Sequence, residues 1–234
     1  MRILDSNEYI GEKLDIQPVT RARLDDLKEP AVDDNIKKFI KYYNLVWNPT
    51  TKRYDCDESV AIGKPYIIDG AFPIKFGHIK GDFNCDFTDL ESLEGAPTKV
   101  DGSFACEYNK LTSLESAPKY VGGNFICDNN SLKALKGTPE YVGGYFDCCN
   151  NKLTSLEGAP TKIDGYFNCD KNKLITLNGA PQKVNGDFYC RNNKLVSFEG
   201  APQCIKGNMY CKNNPSLVLP KRKPSWIKGD MIEK

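Results

Sequence analysis

The chain has 234 residues, with 32 lysines and arginines against 31 aspartates and glutamates, and 40% of its residues are hydrophobic. That length suffices for one large or two small domains with a buried core. The balanced charge argues against a protein that binds nucleic acids or other polyanions in general. No apolar run approaches the ~20 residues of a membrane helix, and the start lacks the apolar stretch of a secretory signal. We therefore expect a cytoplasmic protein that does not span a membrane.

The N-terminal third has no repeat and divides into two segments. Residues 1–33 contain Pro18 and Pro30 among mixed charges, and we interpret them as an arm in which 7–14 and 20–27 could each form a short helix. Whether this arm packs on the rest of the chain is left open.

Residues 34–78 are predicted to form an N-terminal cap. Apolar residues at helical spacing, such as Ile36, Phe39 and Ile40, follow an Asp/Asn pair and predict an amphipathic helix. Residues 47–62 alternate apolar and polar side chains around a turn, which predicts a strand pair.

Residues 79–219 carry a repeat of 21 residues. Its unit reads Gly-x-Phe-x-Cys-x-x-Asn-x-Leu-x-x-Leu-x-Gly-Ala-Pro-x-x-Val-x. The cysteine column shows the period most clearly, and its members are Cys85, Cys106, Cys127, Cys148, Cys169, Cys190 and Cys211.

Each position of the unit has a structural interpretation. Phe-x-Cys predicts a short strand with both side chains turned inward, and the proline excludes a regular helix from the return segment. One unit cannot bury its Phe, Cys and two Leu alone, so the coils must stack. We predict a leucine-rich-repeat-like solenoid, mainly β, with a parallel sheet of about seven coils. Residues 220–234 should form a C-terminal cap or tail, with Trp226 over the last coil.

The repeat unit resembles the leucine-rich repeat, with Phe and Cys in two of the usual leucine places. The Gly-Ala-Pro that follows is similar to the short bacterial class of 20 to 21 residues, found in effector proteins of enterobacterial pathogens. Segments 153–160, 121–125 and 72–83 most resemble repeat proteins encoded by tailed bacteriophages. The resemblance covers about residues 60–219 and implies a solenoid with a recognition role.

The cysteine ladder allows three interpretations. Adjacent coils would hold thiols about 5 Å apart, within disulfide range, and a metal site is conceivable on composition. We favour core packing, because seven thiols cannot all pair and inward thiols behave as small apolar groups. Cys149 should point outward and react first. No cofactor or metal is expected.

Nothing in the sequence indicates catalysis. A catalytic triad or Cys/His pair would need a histidine, and His78 is the only one in the sequence. Because it lies where the first coil begins, we interpret it as a residue of the N-terminal cap. The repeated glycines belong to turns and form no phosphate loop. Lys221, Arg222 and Lys223 are interpreted as a solvated tail, with an acidic partner as the alternative.

The candidate binding surface is the outward side of the Phe-x-Cys strands. Tyrosines cluster in its C-terminal half, and tyrosine is a frequent anchor at protein interfaces, although strand propensity also favours it. An acidic column runs along the first coils and turns basic near the end. The residues predicted to contact a partner are Tyr145, Asp147, Tyr166, Asn168, Asp170, Tyr189, Arg191, Tyr210, Lys212, Glu107 and Asp128.

The sequence therefore predicts a non-enzymatic solenoid that grips a protein partner. If the phage resemblance holds, the partner is a host protein, such as a defence enzyme that the solenoid blocks. A structural or virion-associated phage protein, addressed by residues 1–33, is the alternative. The sequence does not indicate the oligomeric state.

Overall fold

The computed structural model describes residues 28–233. The helices expected at 7–14 and 20–27 lie outside the described residues.

The predicted cap helix is present as α1 (Asp34–Tyr42). The Asp33 carboxylate accepts hydrogen bonds from the backbone N–H groups of Asn35 (2.8 Å) and Ile36 (2.9 Å) and so caps the helix N-terminus. The buried face of α1 presents Phe39, whose ring lies 6.3 Å from that of Phe76 in the first turn of the solenoid. The helix thus covers the apolar end that the first coil would otherwise expose.

An antiparallel strand pair follows, β1 (Val46–Asn48) and β2 (Arg53–Cys56). It joins the solenoid directly, because β2 pairs in parallel with β4 (Phe76–Ile79). A short 3-10 helix at Lys64–Tyr66 lies between them.

Every repeat contributes two short strands, which stack on their equivalents in neighbouring coils. The Phe-x-Cys strands and their equivalents in the end coils form a nine-stranded parallel sheet, which we call the Phe sheet. In chain order its members are β3 (Val60–Ala61), β5 (Phe83–Asn84), β7 (Phe104–Ala105), β9 (Phe125–Ile126), β11 (Phe146–Asp147), β13 (Phe167–Asn168), β15 (Phe188–Tyr189), β17 (Met209–Tyr210) and β18 (Met231–Ile232).

The second strands form two further sheets on another side of the coil. One has six strands, including β1, β2 and β4, and the other has three. Their remaining members are β6 (Lys99–Val100), β8 (Tyr120–Val121), β10 (Tyr141–Val142), β12 (Lys162–Ile163), β14 (Lys183–Val184) and β16 (Cys204–Ile205).

The chain is thus a mainly-β parallel solenoid of about nine turns with a small N-terminal helix and strand cap, as the repeat predicts in outline. Two details differ from the prediction. The sequence analysis assigned one strand to each coil and missed the second, whose buried Val or Ile is a single apolar residue and shows no alternation. It also counted seven coils, because β3 and β18 lack the phenylalanine motif.

The phenylalanines form a continuous stack inside the solenoid. Phe83, Phe104, Phe125, Phe146, Phe167 and Phe188 are fully buried. Successive ring centroids lie 5.2 to 5.7 Å apart, with interplanar angles of 5 to 19°. Because pairing is in register, each ring meets its own equivalent in the next coil.

The ladder cysteines pack beside these rings and carry no disulfide. All ten cysteines of the chain lie within residues 28–233, and all are free. In each coil the thiol points toward the carbonyl oxygen of the following coil, as in Cys148 Sγ to Asn168 O at 3.2 Å. Burial raises the pKa of the Cys148 thiol well above its usual range. The ladder is therefore core packing with a weak hydrogen bond added.

A ladder of asparagine amides, buried from Asn151 onward and half-buried before it, joins the coils at the bend after each Phe strand. The Asn151 Oδ1 accepts the backbone N–H of Leu132 in the preceding coil (2.9 Å). Its amide nitrogen donates to the carbonyls of Cys127 (3.1 Å), Cys148 (3.2 Å) and Cys149 (3.2 Å). The same pattern recurs at Asn109, Asn130, Asn172, Asn193 and Asn214.

Trp226 partly closes the C-terminal end. Its ring meets that of Phe198 edge-on at 6.1 Å, and the neighbouring Ile227 is buried and bridges to Ile205. The strand β18 then pairs with β17.

Replacing Asn151 with alanine is expected to lower the free energy of unfolding by on the order of 2–4 kcal/mol. The change leaves the Leu132 N–H without its acceptor in the interior and removes a donor from three carbonyls. Urea denaturation followed by circular dichroism measures it. The matched control is Asn150→Gly, at an exposed neighbour with φ of 50°, which should change stability by less than about 1 kcal/mol. Equal losses in the two variants would contradict the role given to the amide ladder.

Thiol labelling of the native protein should modify only Cys149 and Cys204, the two cysteines that are not buried. The sequence led us to expect Cys149 to react first, but the structure favours Cys204, because burial and the nearby Asp147 carboxylate raise the pKa of the Cys149 thiol. Ellman's reagent followed by peptide mass mapping measures both rates, and Cys204→Ser should remove the faster phase. Fast labelling of any cysteine in the buried ladder would contradict this core.

Candidate functional site

The outward side of the Phe sheet forms a three-column surface, which we call the strand face. The columns are the residues immediately before each Phe, between Phe and Cys, and after Cys. Most of these side chains are half-buried, since each lies against its equivalents in adjacent coils. The strand face consists of Asp82, Asn84, Asp86, Ser103, Ala105, Glu107, Asn124, Ile126, Asp128, Tyr145, Asp147, Cys149, Tyr166, Asn168, Asp170, Asp187, Tyr189, Arg191, Asn208, Tyr210 and Lys212.

A side-chain hydrogen-bond ladder runs along the first column. The Asp82 carboxylate accepts the Ser103 N–H (2.6 Å), and the Ser103 hydroxyl accepts the Asn124 N–H (3.1 Å). The Asn124 amide oxygen in turn accepts the N–H of Tyr145 at 3.0 Å. The ladder resumes at Asp187, whose carboxylate accepts the Asn208 N–H at 2.7 Å. Between Asn124 and Asp187 the first column holds Tyr145 and Tyr166. At these two positions a tyrosine replaces the short polar side chain that would accept a backbone N–H from the next coil.

Four tyrosines form one continuous aromatic strip on the strand face. Tyr145 and Tyr166 stack with centroids 4.3 Å apart, and Tyr189 and Tyr210 stack at 4.6 Å. An edge-on contact of 5.8 Å between Tyr166 and Tyr189 joins the pairs across two columns. The Tyr189 hydroxyl donates to Asp187 (3.0 Å), and burial together with this bond raises the pKa of Tyr189 to about 12. We call these four residues the tyrosine strip.

Arg191 holds the C-terminal part of the face rigid. Its guanidinium contacts the Asp170 carboxylate through Nε (2.7 Å) and Nη2 (2.6 Å), and it lies 5.1 Å from the Tyr189 ring centroid and 5.7 Å from that of Tyr210. This arrangement combines a charge-assisted pair with a cation–π contact. The Asp170 side chain is only 7% exposed. Asp170 is therefore occupied within the chain, and its predicted contact with a partner would require Arg191 to move.

The N-terminal part of the face is acidic. Asp86, Glu107, Asp128 and Asp147 lie on four successive coils, and no basic side chain in the described part of the chain forms an ion pair with any of them. Burial and the neighbouring Asp128 carboxylate raise the pKa of Glu107 to about 7. Burial likewise raises the pKa of Asp86 and of Asp147. These carboxylates repel one another and lack a cation.

All the residues that the sequence analysis predicted for binding lie on this one face. Tyr145, Tyr166, Tyr189 and Tyr210 are in mutual contact, whereas Lys212 is exposed at the end of the third column. Asn168 bonds Asp147 through its amide nitrogen at 2.9 Å. Asp128 is only 8% exposed and accepts a hydrogen bond from the Asn129 side chain.

Groups that could support other chemistry are scattered. Across residues 28–233, no cluster of three or more His, Cys, Asp or Glu side chains could hold a metal ion. His78 lies in β4, where Nε2 contacts the Asp101 carboxylate at 2.9 Å and Lys99 contacts the same carboxylate. The longest helix of the described chain has nine residues and is too short to cross a membrane.

No protein-family model, curated protein or solved structure shows significant similarity to this chain.

The sequence analysis missed one surface beside the strand face. Phe87 and Tyr108 stack at 4.4 Å and are 61% and 49% exposed. Most other coils hold asparagine at this position of the repeat. The replacement of asparagine by two aromatic residues is therefore visible in the sequence and could have predicted this exposed aromatic surface.

Stability should fall as pH rises through the titration of Glu107. Because its folded pKa of about 7 exceeds the ordinary value of 4.5, the folded state binds more protons between these values, and unfolding becomes easier as pH increases. From about pH 5 to about pH 8 we expect Glu107 to account for a loss on the order of 1 kcal/mol, a value reduced because the carboxyl is partly exposed.

Urea denaturation across this range compares the wild type with Glu107→Gln, which should lose much of the slope and be the more stable above about pH 7. The residual slope comes from Asp86 and Asp147, whose pKa values are shifted in the same direction. Glu157→Gln, at an exposed carboxyl away from the face, is the control and should retain the wild-type profile. An unchanged slope in Glu107→Gln would refute this assignment.

Proposed function

We propose that this chain is a non-enzymatic binding protein that holds a macromolecular partner on its strand face. The supporting observation is the tyrosine strip, since Tyr145 and Tyr166 occupy positions where Ser103 and Asn124 serve the hydrogen-bond ladder between coils. At these two positions the chain gives up a backbone hydrogen bond between coils and presents stacked aromatic rings on the surface. Tyrosine rings held rigidly by neighbours are well suited to anchor a protein partner at low entropic cost.

The charges of the strand face indicate the chemistry of that partner. The face carries seven carboxylates and two cationic residues, although the whole chain has a net charge of +1. One of the cations, Arg191, is already paired with Asp170. A partner with lysine or arginine on its surface would neutralise Asp86, Glu107 and Asp147, whose pKa values are raised by burial and, to a smaller extent, by the neighbouring Asp128 carboxylate. We therefore propose a protein with a basic surface.

The resemblance of the repeat to leucine-rich repeats, and to repeat proteins of tailed phages, suggests a biological setting. In that setting the chain acts in the bacterial cytoplasm and the partner is a host protein, such as a defence enzyme that the solenoid inhibits. This step is an analogy between repeat units.

The test is affinity capture from bacterial lysate with a variant that removes the tyrosine strip. Tyr145, Tyr166, Tyr189 and Tyr210 are all changed to asparagine, which the same two columns hold in other coils, so the coils should still stack. We expect recovery of the partner, identified by mass spectrometry, to fall by on the order of tenfold or more.

The matched control changes Tyr120 and Tyr141 to glutamine. These tyrosines also stack, at 5.0 Å, but lie on the second strands and are 38% and 42% exposed. The control should recover the partner as well as the wild type does. Equal recovery by the strand-face variant and the wild type would exclude this face as the binding surface.

A further inference from the structure

A row of lysines follows the asparagine ladder along one edge of the last coils. Lys152, Lys173 and Lys194 occupy the same repeat position in three successive coils, and all three are exposed. The Lys173 N–H donates to the Leu153 carbonyl at 2.8 Å. The Lys194 N–H donates to the Leu174 carbonyl in the same way at 2.9 Å, so the three lysines are in register. We call them the lysine row.

A row of exposed aliphatic side chains lies beside the lysine row. Ile175 is 53% exposed, Val196 is 42% exposed and Val218 is 77% exposed. The Val196 N–H donates to the Ile175 carbonyl (3.0 Å) and the Val218 N–H to the Val196 carbonyl (3.1 Å), so these residues also lie on successive coils. Leu174 is fully buried between Lys173 and Ile175, which places the two exposed side chains on the outer side of one segment. We call the three aliphatic residues the aliphatic row, and the two rows together the basic edge.

The chain segments that form the basic edge carry positive charge only. Residues 150–156, 171–177, 192–198 and 213–223 contain seven lysines and arginines and no aspartate or glutamate. The seven are Lys152, Lys171, Lys173, Lys194, Lys221, Arg222 and Lys223. Within residues 28–233, none of them lies within salt-bridge distance of a carboxylate. Since the whole chain has a net charge of only +1, positive charge is concentrated on this edge.

The coils do not require lysine at this position of the repeat. In an earlier coil Asp89 occupies it, and its carboxylate contacts the amines of Lys64 and Lys110. Charges of both signs are therefore paired within the chain at the N-terminal end of this column, whereas the lysine row places three like charges on adjacent coils. Like charges in such neighbouring positions repel one another. An anionic partner at the lysine row would reduce this repulsion.

The residue types of the basic edge distinguish between three kinds of anionic partner. A nucleic acid binds lysines through its phosphates but leaves exposed aliphatic side chains without a contact. Protein interfaces are depleted in lysine, and valine is under-represented among the residues that anchor them. A membrane surface that contains anionic lipid supplies negative headgroups for the lysines and an apolar layer for the aliphatic side chains. The combination of the two rows therefore favours a membrane surface.

We propose that the basic edge attaches this protein peripherally to membranes that contain anionic lipid. The lysine row contacts the headgroups, and the aliphatic row enters the boundary between headgroups and acyl chains. Lys221, Arg222 and Lys223, which follow Val218 closely along the chain, add positive charge next to the aliphatic row. The basic edge is distinct from the strand face, since each coil places its ladder asparagine between the two. Membrane attachment and partner binding can therefore fail independently.

The first experiment is co-sedimentation of the full-length protein with lipid vesicles. One set contains about 40% phosphatidylglycerol in phosphatidylcholine, and the other contains phosphatidylcholine alone. We expect binding to the anionic vesicles at about 50 mM sodium chloride, binding at least about tenfold weaker at about 500 mM, and none to the neutral vesicles. No binding to the anionic vesicles at low salt, or equal binding to both sets, would overturn the proposal.

The second experiment removes the lysine row. Lys152, Lys173 and Lys194 are all changed to serine, the residue that Ser131 supplies at the same position, so the coils should stack as in the wild type. Urea denaturation checks that stability is retained. The dissociation constant for the anionic vesicles should rise on the order of tenfold or more. Binding as tight as that of the wild type would exclude the lysine row from the contact.

The matched control changes Lys119, Lys183 and Lys206 to serine and so removes the same amount of charge. These lysines are exposed, form no ion pair within residues 28–233 and lie in or beside the second strands. The control should bind the anionic vesicles nearly as well as the wild type does. Equal weakening in the two variants would indicate general charge attraction without a defined surface and contradict the proposal.

The third experiment tests the aliphatic row with Ile175→Thr together with Val196→Thr. Other coils hold threonine at this position, as Thr112 and Thr154, so the fold should be retained. The affinity for the anionic vesicles should fall on the order of fivefold or more although the charge is unchanged, because less apolar surface enters the membrane. Wild-type affinity in this variant would show that the aliphatic row stays in water, which contradicts the proposed contact.

The other two kinds of anionic partner are tested with a single-stranded oligonucleotide and with polyglutamate. Fluorescence anisotropy at low salt measures the affinity of each polymer for the wild type. We expect both polymers to bind more weakly than the anionic vesicles do, since neither offers an apolar layer to the aliphatic row. Tighter binding of either polymer, lost on removal of the lysine row, would assign the basic edge to that class of partner and overturn the membrane proposal.

Discussion

In-register stacking of identical residues is the constraint on which this structure depends. A parallel sheet sets neighbouring strands about 4.8 Å apart, so whatever occupies a position in one coil lies on its equivalent in the next. The phenylalanines satisfy this constraint by ring stacking, and the asparagines do so by bonding the preceding coil. Glycine meets it where the chain enters the strand, because a Cβ on Gly165 would lie 2.7 Å from the backbone nitrogen of Tyr145. The same residue type recurs from coil to coil at the positions where such a contact is required.

The same constraint makes departures from the repeat informative. A column that bonds the backbone of the next coil tolerates only short acceptors such as Asp82, Ser103 and Asn124. Tyrosine at this position forfeits the bond, and an aromatic residue in the left-handed column incurs backbone strain. Both departures occur on the surface and both come in adjacent pairs, Tyr145 with Tyr166 and Phe87 with Tyr108. In each pair the two rings stack on one another, so the departure still satisfies the in-register constraint.

The period alone predicted the solenoid, the inward Phe and Cys, and the surface that their neighbours form, because these follow from the alternation of a strand. It did not predict the second strand, since a lone buried residue such as Val142 gives no alternation. Nor did it show that Arg191 already satisfies Asp170. Which charged side chains form ion pairs depends on their rotamers, and the aligned repeat sequence does not specify rotamers. The left-handed φ of Phe87 is likewise a property of the bend that only coordinates reveal.

In-register stacking is least favourable for like charges. Asp86, Glu107 and Asp128 follow one another along the third column, where each carboxylate lies beside the next. A solenoid selected only for stability would alternate signs there, as Asp170 and Arg191 do one after the other. Here burial, followed by the neighbouring Asp128 carboxylate, raises the pKa of Glu107 to about 7. In the proposed function, a basic surface on the partner would reduce this repulsion, which connects the acidic coils with the chemistry proposed for the partner.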